Sequence, residues 1–570
     1  MTRDTDELIW KRLERRIEKL YNERDARSLK RILPGLVARY KTEIPERRSG
    51  WDQRDSVLIT YADSILEDGT EPLETLYAFL QDRVGKTINI VHLLPFFPYS
   101  SDDGFAVTDY RKVRENLGSW DDVENLSKDY RLVFDAVINH ISASSIYAER
   151  FCEGDPEYRN FFIRLEAETD TSSVLRTRDE PLLHKYDTTR GEEWLWTTFS
   201  RDQIDLNFAE PRVLIEILDV LMFYAKKGAS ILRLDAVPYL WKELGTSCAH
   251  LPQTHELIKL MREVFDLAAP HVLLLAEANV PHERNVTYVG GGGDESQIIY
   301  NFTMPPLVLH ALVKGNARHL SEWADGLEDL GENATYLNIT ATHDGIGMRP
   351  TEGLLSEEER RELVQLAYDH HGDVTGKRNS DGTISPYELN LNYFDAVNHP
   401  DADESLERQI DRFMVSQAIP LCFRGMPGIY VQSLLGSRND LEAVEKTGRA
   451  RSINREKLDR GILEAELDRP DSPRHRVFGR YMHLLELRQR ESAFHPDAEQ
   501  DVLDFGPEIF AVRRHNTETD ETILALHNVT EREQQFEMGQ GGRDIITEET
   551  LRNSRGYLSA YQIRWVKVVP

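Results

Sequence analysis

Ile231-Leu232-Arg233-Leu234-Asp235 is an apolar run that carries one arginine and stops at an acid. A buried carboxylate is costly unless it is paired or used chemically, so a strand-like run ending in one needs a reason. The pattern recurs. Glu277 follows Leu273-Leu274-Leu275-Ala276, and Asp344 closes the stretch that runs from Leu337 to Thr342-His343-Asp344. Three such acids, in a chain that alternates strand-like and helix-like segments, predict carboxylates gathered at the C-terminal mouth of a parallel barrel. That gathering suits glycosyl transfer between two carboxyl groups.

Outward from this stretch, strand-like segments fall at 57–61, 88–94, 132–138, 231–237, 272–276, 297–302, 336–341 and 428–432. Most are rich in Val, Ile and Leu with little alternation, as in strands covered on both faces. Helix-like stretches such as 210–227 and 255–267 lie between them. The predicted fold class is therefore α/β: a (β/α)8 barrel over 51–500. Two long excursions interrupt the rhythm, an inserted loop domain after the third strand (144–200) and a loop at 370–400. Both are expected on the catalytic face, since long loops within a compact domain are usually functional. Residues 1–50 read as a polar helical extension, with Leu8, Leu13, Ile17, Leu20 and Tyr21 at roughly helical spacing. Short alternating segments at 508–513, 522–526, 534–538 and 561–569 predict a small C-terminal β domain over 501–570.

Composition narrows the function classes. The chain has 570 residues, 40% hydrophobic and 29% charged, with a net charge of -29. Such a surface repels nucleic acid and anionic membrane. The N-terminus, MTRDTDELIWKRLERRIEKLY, has no apolar core of a signal peptide, and no apolar run reaches the roughly 18 residues of a membrane span. The three cysteines, Cys152, Cys248 and Cys422, suggest neither a disulfide framework nor a zinc cluster. The expectation is a cytoplasmic protein, monomer or homodimer, acting on small molecules without nucleic acid, membrane or cofactor.

The phrases around the three acids carry a resemblance. Asp135-Ala136-Val137-Ile138-Asn139-His140, Leu232-Arg233-Leu234-Asp235-Ala236-Val237, Ala276-Glu277-Ala278 and Thr342-His343-Asp344 stand in order, and the set resembles the motifs of glycoside hydrolase family 13, the α-amylase type. Further phrases, Leu94 through Phe105, Gly245-Thr246-Ser247-Cys248, Thr342 through Gly347 and Ser452-Ile453-Asn454-Arg455, resemble the sucrose phosphorylase subfamily. Ser385-Pro386-Tyr387-Glu388-Leu389-Asn390 and the N-terminal extension are most similar to glucosylglycerol and glucosylglycerate phosphorylases.

The resemblance implies retaining transfer of an α-glucosyl unit: Asp235 as nucleophile, Glu277 as general acid and base, Asp344 as transition-state stabiliser. Arg233, two residues before Asp235 on one strand, points to the same face and would hold it ionised. Asp102, Phe105, His140, His343 and Arg451 would bind the glucosyl unit. Phosphate and acceptor would be read by Arg176 or Arg178, between which the sequence does not choose, with Gln203, Tyr387 and Glu388. Thr177 replaces a proline common in the family. Asn139 resembles a calcium-binding position of some amylases, but the loop after it lacks an acidic cluster, so no metal is expected. Glu388, taken as an unpaired carboxylate, would accept hydrogen bonds from a polyol and repel a carboxylate. The expected reaction is therefore phosphorolysis of 2-O-α-D-glucosylglycerol to α-D-glucose 1-phosphate and glycerol. Glucosylglycerate, sucrose and sucrose 6-phosphate are alternative substrates, and a plain α-glucosidase or transglucosidase is the alternative activity.

Overall fold

A computed structural model describes residues 3–379, 382–539, 541–551 and 555–568. Eight parallel strands close into a barrel: β1 (Val57–Thr60), β2 (Ile90–Leu93), β3 (Arg131–Ala136), β4 (Ala229–Leu234), β5 (Leu273–Ala276), β6 (Ile298–Tyr300), β7 (Thr335–Asn338) and β8 (Met426–Tyr430). Neighbours pair in chain order, and β1 closes on β8 through Val57 opposite Gly428. Every expected strand segment overlaps one of these. The last is displaced by two residues toward the N-terminus, since Pro427 pairs with Asn338 of β7 inside the barrel. Proline lacks the N–H of a ladder and argues against a strand on sequence alone. The strands are buried almost throughout, which explains their unalternating apolar composition.

Two helices, Arg3–Leu20 and Glu23–Glu43, precede the barrel. Asn22 separates them and caps the second, its side-chain oxygen accepting from the amides of Arg24 and Asp25 at 3.1 Å. The first helix buries Ile9, Leu13 and Ile17, while Leu8 is 57% exposed. The apolar stripe is thus the i, i+4 row through Ile9, not Leu8 as the sequence reading had it. Arg16 anchors this helix to the barrel helix Pro252–Ala268, with Nη1 2.7 Å from Glu256 and Nε 3.0 Å from Glu263.

The excursion after β3 begins with the helix Ile146–Glu153 and builds a three-stranded antiparallel sheet from Arg164–Leu165, Gly191–Trp196 and Leu183–Thr188. Its base is closed by His140–Ser142 pairing with Gln203–Asp205. The later loop folds as a hairpin, Asp373–Arg378 against Ile384–Asn390, with Ile346–Gly347 as third strand. Arg378 Nε bonds Asp179 Oδ1 at 2.6 Å, so the two excursions are tied together. At the C-terminus six antiparallel strands, from Glu499–Val502 to Thr550–Leu551, form one sheet. Ile509, Ala511, Leu524, Leu526 and Phe536 give it an apolar cluster of its own. Met1, Thr2, Asp381 and Val569, which the sequence reading had included in its segments, lie outside the described residues.

Candidate active site

Asp235 and Glu277 each stand one residue past a strand. Leu234 and Ala276 are register partners on adjacent strands, so the two acids emerge side by side, about 4.8 Å apart at the backbone. The ladder continues past both strand ends: the Asp235 amide donates to Ala136 and the Glu277 amide to Leu234, each at 3.1 Å. Between them Ala236 adopts φ +50°, a left-handed conformation costing a non-glycine residue roughly 1–2 kcal/mol. The twist aims its N–H at Glu277 Oε2, 2.9 Å away. Strain held in place by surrounding structure is typical of functional sites.

Inside the barrel a polar relay supports Asp235. His92 of β2 is 2.7 Å from Asp135 Oδ2 of β3. Asp135 and Asp235 both accept from Arg233 Nη1, Asp235 at 2.8 Å. Asp135 received no role from the sequence reading. Its signal was present: it too is an acid in an apolar run, Leu132-Val133-Phe134-Asp135.

Burial pushes the carboxyls of both Asp235 and Glu277 upward. Arg233 opposes the rise in each, and their mutual repulsion adds to it for Glu277. Asp235 accepts a charge-assisted bond from Arg233 that Glu277 lacks, which favours a proton on Glu277 over one on Asp235. Asp344 goes the other way. Burial alone would raise it, but the guanidinium groups of Arg451, Arg455 and Arg233 outweigh that and hold it ionised.

Asp344 comes from the loop after β7, which a distant segment positions. Asn454 Nδ2 donates to the carbonyls of Thr342 and Asp344 at 3.1 Å, and Arg455 Nε to that of His343 at 2.8 Å. Arg451 Nη1 lies 2.7 Å from Asp344 Oδ1, while its Nη2 and Nε grip Glu388 at 2.8 and 3.1 Å. Glu388 is therefore a paired carboxylate, against the sequence expectation of an unpaired one. Its neutralising arginine lies 63 positions along the chain.

Asp102 sits on a turn with φ +56°. The turn closes at Gly104, where a Cβ would stand 2.7 Å from Pro95. Gln203 Nε2 donates to Asp102 Oδ2 at 3.2 Å and to the Phe105 carbonyl at 3.1 Å. His140 Nε2 bonds the same carbonyl at 2.9 Å. The Phe105 ring stacks on His343, centroids 5.0 Å apart. Burial drives His343 down to about 3, so it meets a sugar as a neutral imidazole.

Asp102, Phe105, His140, Arg178, Gln203, Arg233, Asp235, Glu277, His343, Asp344, Tyr387, Glu388 and Arg451 line one pocket. Arg176 is the exception: its guanidinium turns back to the Glu180 carbonyl and does not line the pocket. Of the two arginines only Arg178 lines the pocket; its guanidinium lies 5.4 Å from the Tyr387 ring and 5.5 Å from that of Phe199. Phe199, Tyr239 and Asn279 also line it and had no motif to announce them.

Asn139 does not offer a metal site. Lys242 Nζ, almost wholly buried, donates to Asn139 Oδ1 at 2.8 Å and pairs with Asp205 Oδ2 at 2.6 Å. An ammonium fills the place a cation would take, and the single carboxylate there is already matched. Lys242→Met leaves Asp205 buried and unpaired, so it is expected to cost about 3–5 kcal/mol, read by chemical denaturation. A chelator is expected to leave the wild-type melting temperature unchanged.

The α-amylase catalytic domain model matches residues 85–344. Glucosylglycerate phosphorylase of Allomeiothermus silvanus is 44% identical over 520 residues, covering 91% of this chain and 92% of that protein. Glucosylglycerol phosphorylase of Marinobacter adhaerens is 28% identical, over 77% of this chain and 87% of its own. Among solved structures, sucrose 6F-phosphate phosphorylase from Thermoanaerobacter thermosaccharolyticum superposes with a TM-score of 0.73 at 25% identity, over 90% of this chain and 98% of that one. With the barrel, the site and these relatives in agreement, the chain belongs to the α-amylase family, glycoside hydrolase family 13, in the branch of its glucoside phosphorylases.

Proposed function

We propose that this protein catalyses the reversible phosphorolysis of α-D-glucosylglycerate to α-D-glucose 1-phosphate and D-glycerate, with net retention of configuration. Asp235 attacks the anomeric carbon while Glu277 protonates the departing glycerate oxygen, giving a β-glucosyl ester. Phosphate then passes a proton to Glu277, its oxygen attacks the same carbon, and Asp235 leaves. Asp344, kept ionised by Arg451, faces the positive charge that develops on the sugar. Asp102 closes the far end of the glucose site, and Gln203, expected on the phosphate and acceptor side, is instead bonded to it there. The chemistry needs a phosphate pool, which fits a cytoplasmic setting, as do three unpaired cysteines.

The observation that carries the acceptor is the Arg451–Glu388 pair. Glycerol was expected because a free Glu388 would repel a carboxylate, and a paired Glu388 does so far less. Arg178 meanwhile has no carboxylate partner among the described residues. The 44% identity to a glucosylglycerate phosphorylase, against 28% to a glucosylglycerol phosphorylase, supports the same reading.

The test is phosphate release from glucose 1-phosphate with D-glycerate, glycerol, fructose or fructose 6-phosphate as acceptor. D-Glycerate is expected to give the highest kcat/KM. A higher value with glycerol would return the assignment to glucosylglycerol. Release of free glucose at a rate indifferent to all acceptors would overturn the phosphorylase reading itself.

A further inference from the structure

Five carboxylates line the pocket, Asp102, Asp235, Glu277, Asp344 and Glu388, against three arginines. Two of the arginines are engaged: Arg233 with Asp135 and Asp235, Arg451 with Asp344 and Glu388. An anion approaching Glu277 therefore meets an acidic wall unless other cations face it. Arg178 is one such cation, its guanidinium bonded only to the Thr177 carbonyl at 3.1 Å.

Arg349 is a second. It follows the strand Ile346–Gly347, and the amide before it, Met348 N, donates to the Tyr387 carbonyl at 2.9 Å. The residue is thereby built into the hairpin that carries Tyr387 and Glu388. It is half-buried, its Nε has no hydrogen-bond partner, and among the described residues no carboxylate pairs with it. Of the charges acting on the hydroxyl of Tyr239 that of Arg349 is the strongest, and Tyr239 is a buried side chain that lines the pocket. Tyr239 also feels the charges of Glu277 and Arg178, so both unmatched arginines act on one residue of the pocket wall. Lys377 and His250 also feel the charge of Arg349. Burial lowers both, and the Arg349 charge lowers them further, His250 to about 4. Glu352 pairs with Lys377, 3.9 Å from its Nζ.

Glycerate and phosphate are never present together at the reacting carbon. One leaves by taking a proton from Glu277, and the other arrives by returning one. Both must put an oxygen at the same point, with the remaining negative charge just beyond it. We propose that Arg349, with Arg178 and Tyr239, forms a single anion-binding fork beside Glu277 that holds the carboxylate of glycerate and then phosphate in turn. Arg349 thereby determines the choice of an anionic over a neutral acceptor. The glycerate half of this proposal rests on the reaction proposed above; the phosphate half does not.

The test uses the full chain with α-D-glucosyl fluoride as donor and D-glycerate, glycerol or inorganic phosphate as acceptor. Loss of one charge-assisted bond in Arg349→Ala is expected to lower the ratio of kcat/KM for glycerate to that for glycerol by about tenfold to a hundredfold. The KM for phosphate should rise by a similar factor, with a smaller change in kcat. Arg349→Lys should recover part of both, and Tyr239→Phe should weaken both anions less. A ratio within about twofold of wild type, or a joint fall with glycerate and glycerol, would show that Arg349 is merely structural. If the wild type itself prefers glycerol, the acceptor assignment fails, and the phosphate KM of Arg349→Ala alone decides the fork.

Discussion

Asp235→Ala is expected to lose at least about 10⁴-fold in kcat for phosphorolysis. The nucleophile has no substitute nearby: Asp135 is bonded to His92 and Arg233 deep in the barrel, and Asp344 is held by Arg451. Arg233 would be left with one partner instead of two, and its free Nη1 position, beside the new cavity, suits a small anion. Added azide should enter there and attack an activated donor from the vacated side, giving β-D-glucosyl azide. The measurement is kcat with and without azide, together with the anomeric configuration of the product by NMR. Retention of more than about a tenth of wild-type turnover would mean that Asp235 is not the nucleophile.

Glu277→Gln is the second large loss. Cleavage of a substrate with a poor leaving group is expected to fall about 10²–10⁴-fold, while α-D-glucosyl fluoride, whose fluoride leaves without a proton, should lose much less in the first step. The wild-type pH profile should carry the same signature. Asp235 must be ionised to attack, so activity is lost as pH falls through its value. Glu277 must be protonated to donate, so activity is lost as pH rises through its value. Burial raises both; both limbs of kcat/KM should therefore lie above the ordinary carboxylate range, and the optimum should move toward neutrality. In Glu277→Gln the alkaline limb should disappear while the acid limb stays. An alkaline limb that survives this substitution would assign the general acid to another group.

The residues show why some of this could be read from the chain alone. A strand buried on both faces needs continuous apolar side chains, and eight such runs were visible. β4 and β8 each begin two residues before the expected segment, and at β8 Pro427 hides a strand that the barrel tolerates. An acid at the end of such a run is costly wherever it lies, so Asp235, Glu277 and Asp344 declared themselves locally. Asp135 did so too and was passed over.

Pairing between charges is not local. Glu388 as a free carboxylate and Glu388 gripped by Arg451 are the same letters in the sequence, yet they argue for different acceptors. Lys242 and Asp205 are likewise unremarkable until their side chains meet in the core at 2.6 Å. Arg176 and Arg178, two positions apart in one loop, diverge because one turns to its own backbone and the other toward the pocket. The sequence by itself determined the barrel and the identity of its three acids, since desolvation acts on each run wherever the chain goes. Tertiary structure alone decided which of the many arginines are matched and which remain free to hold an anion, because Coulomb attraction depends on distances that only folding creates.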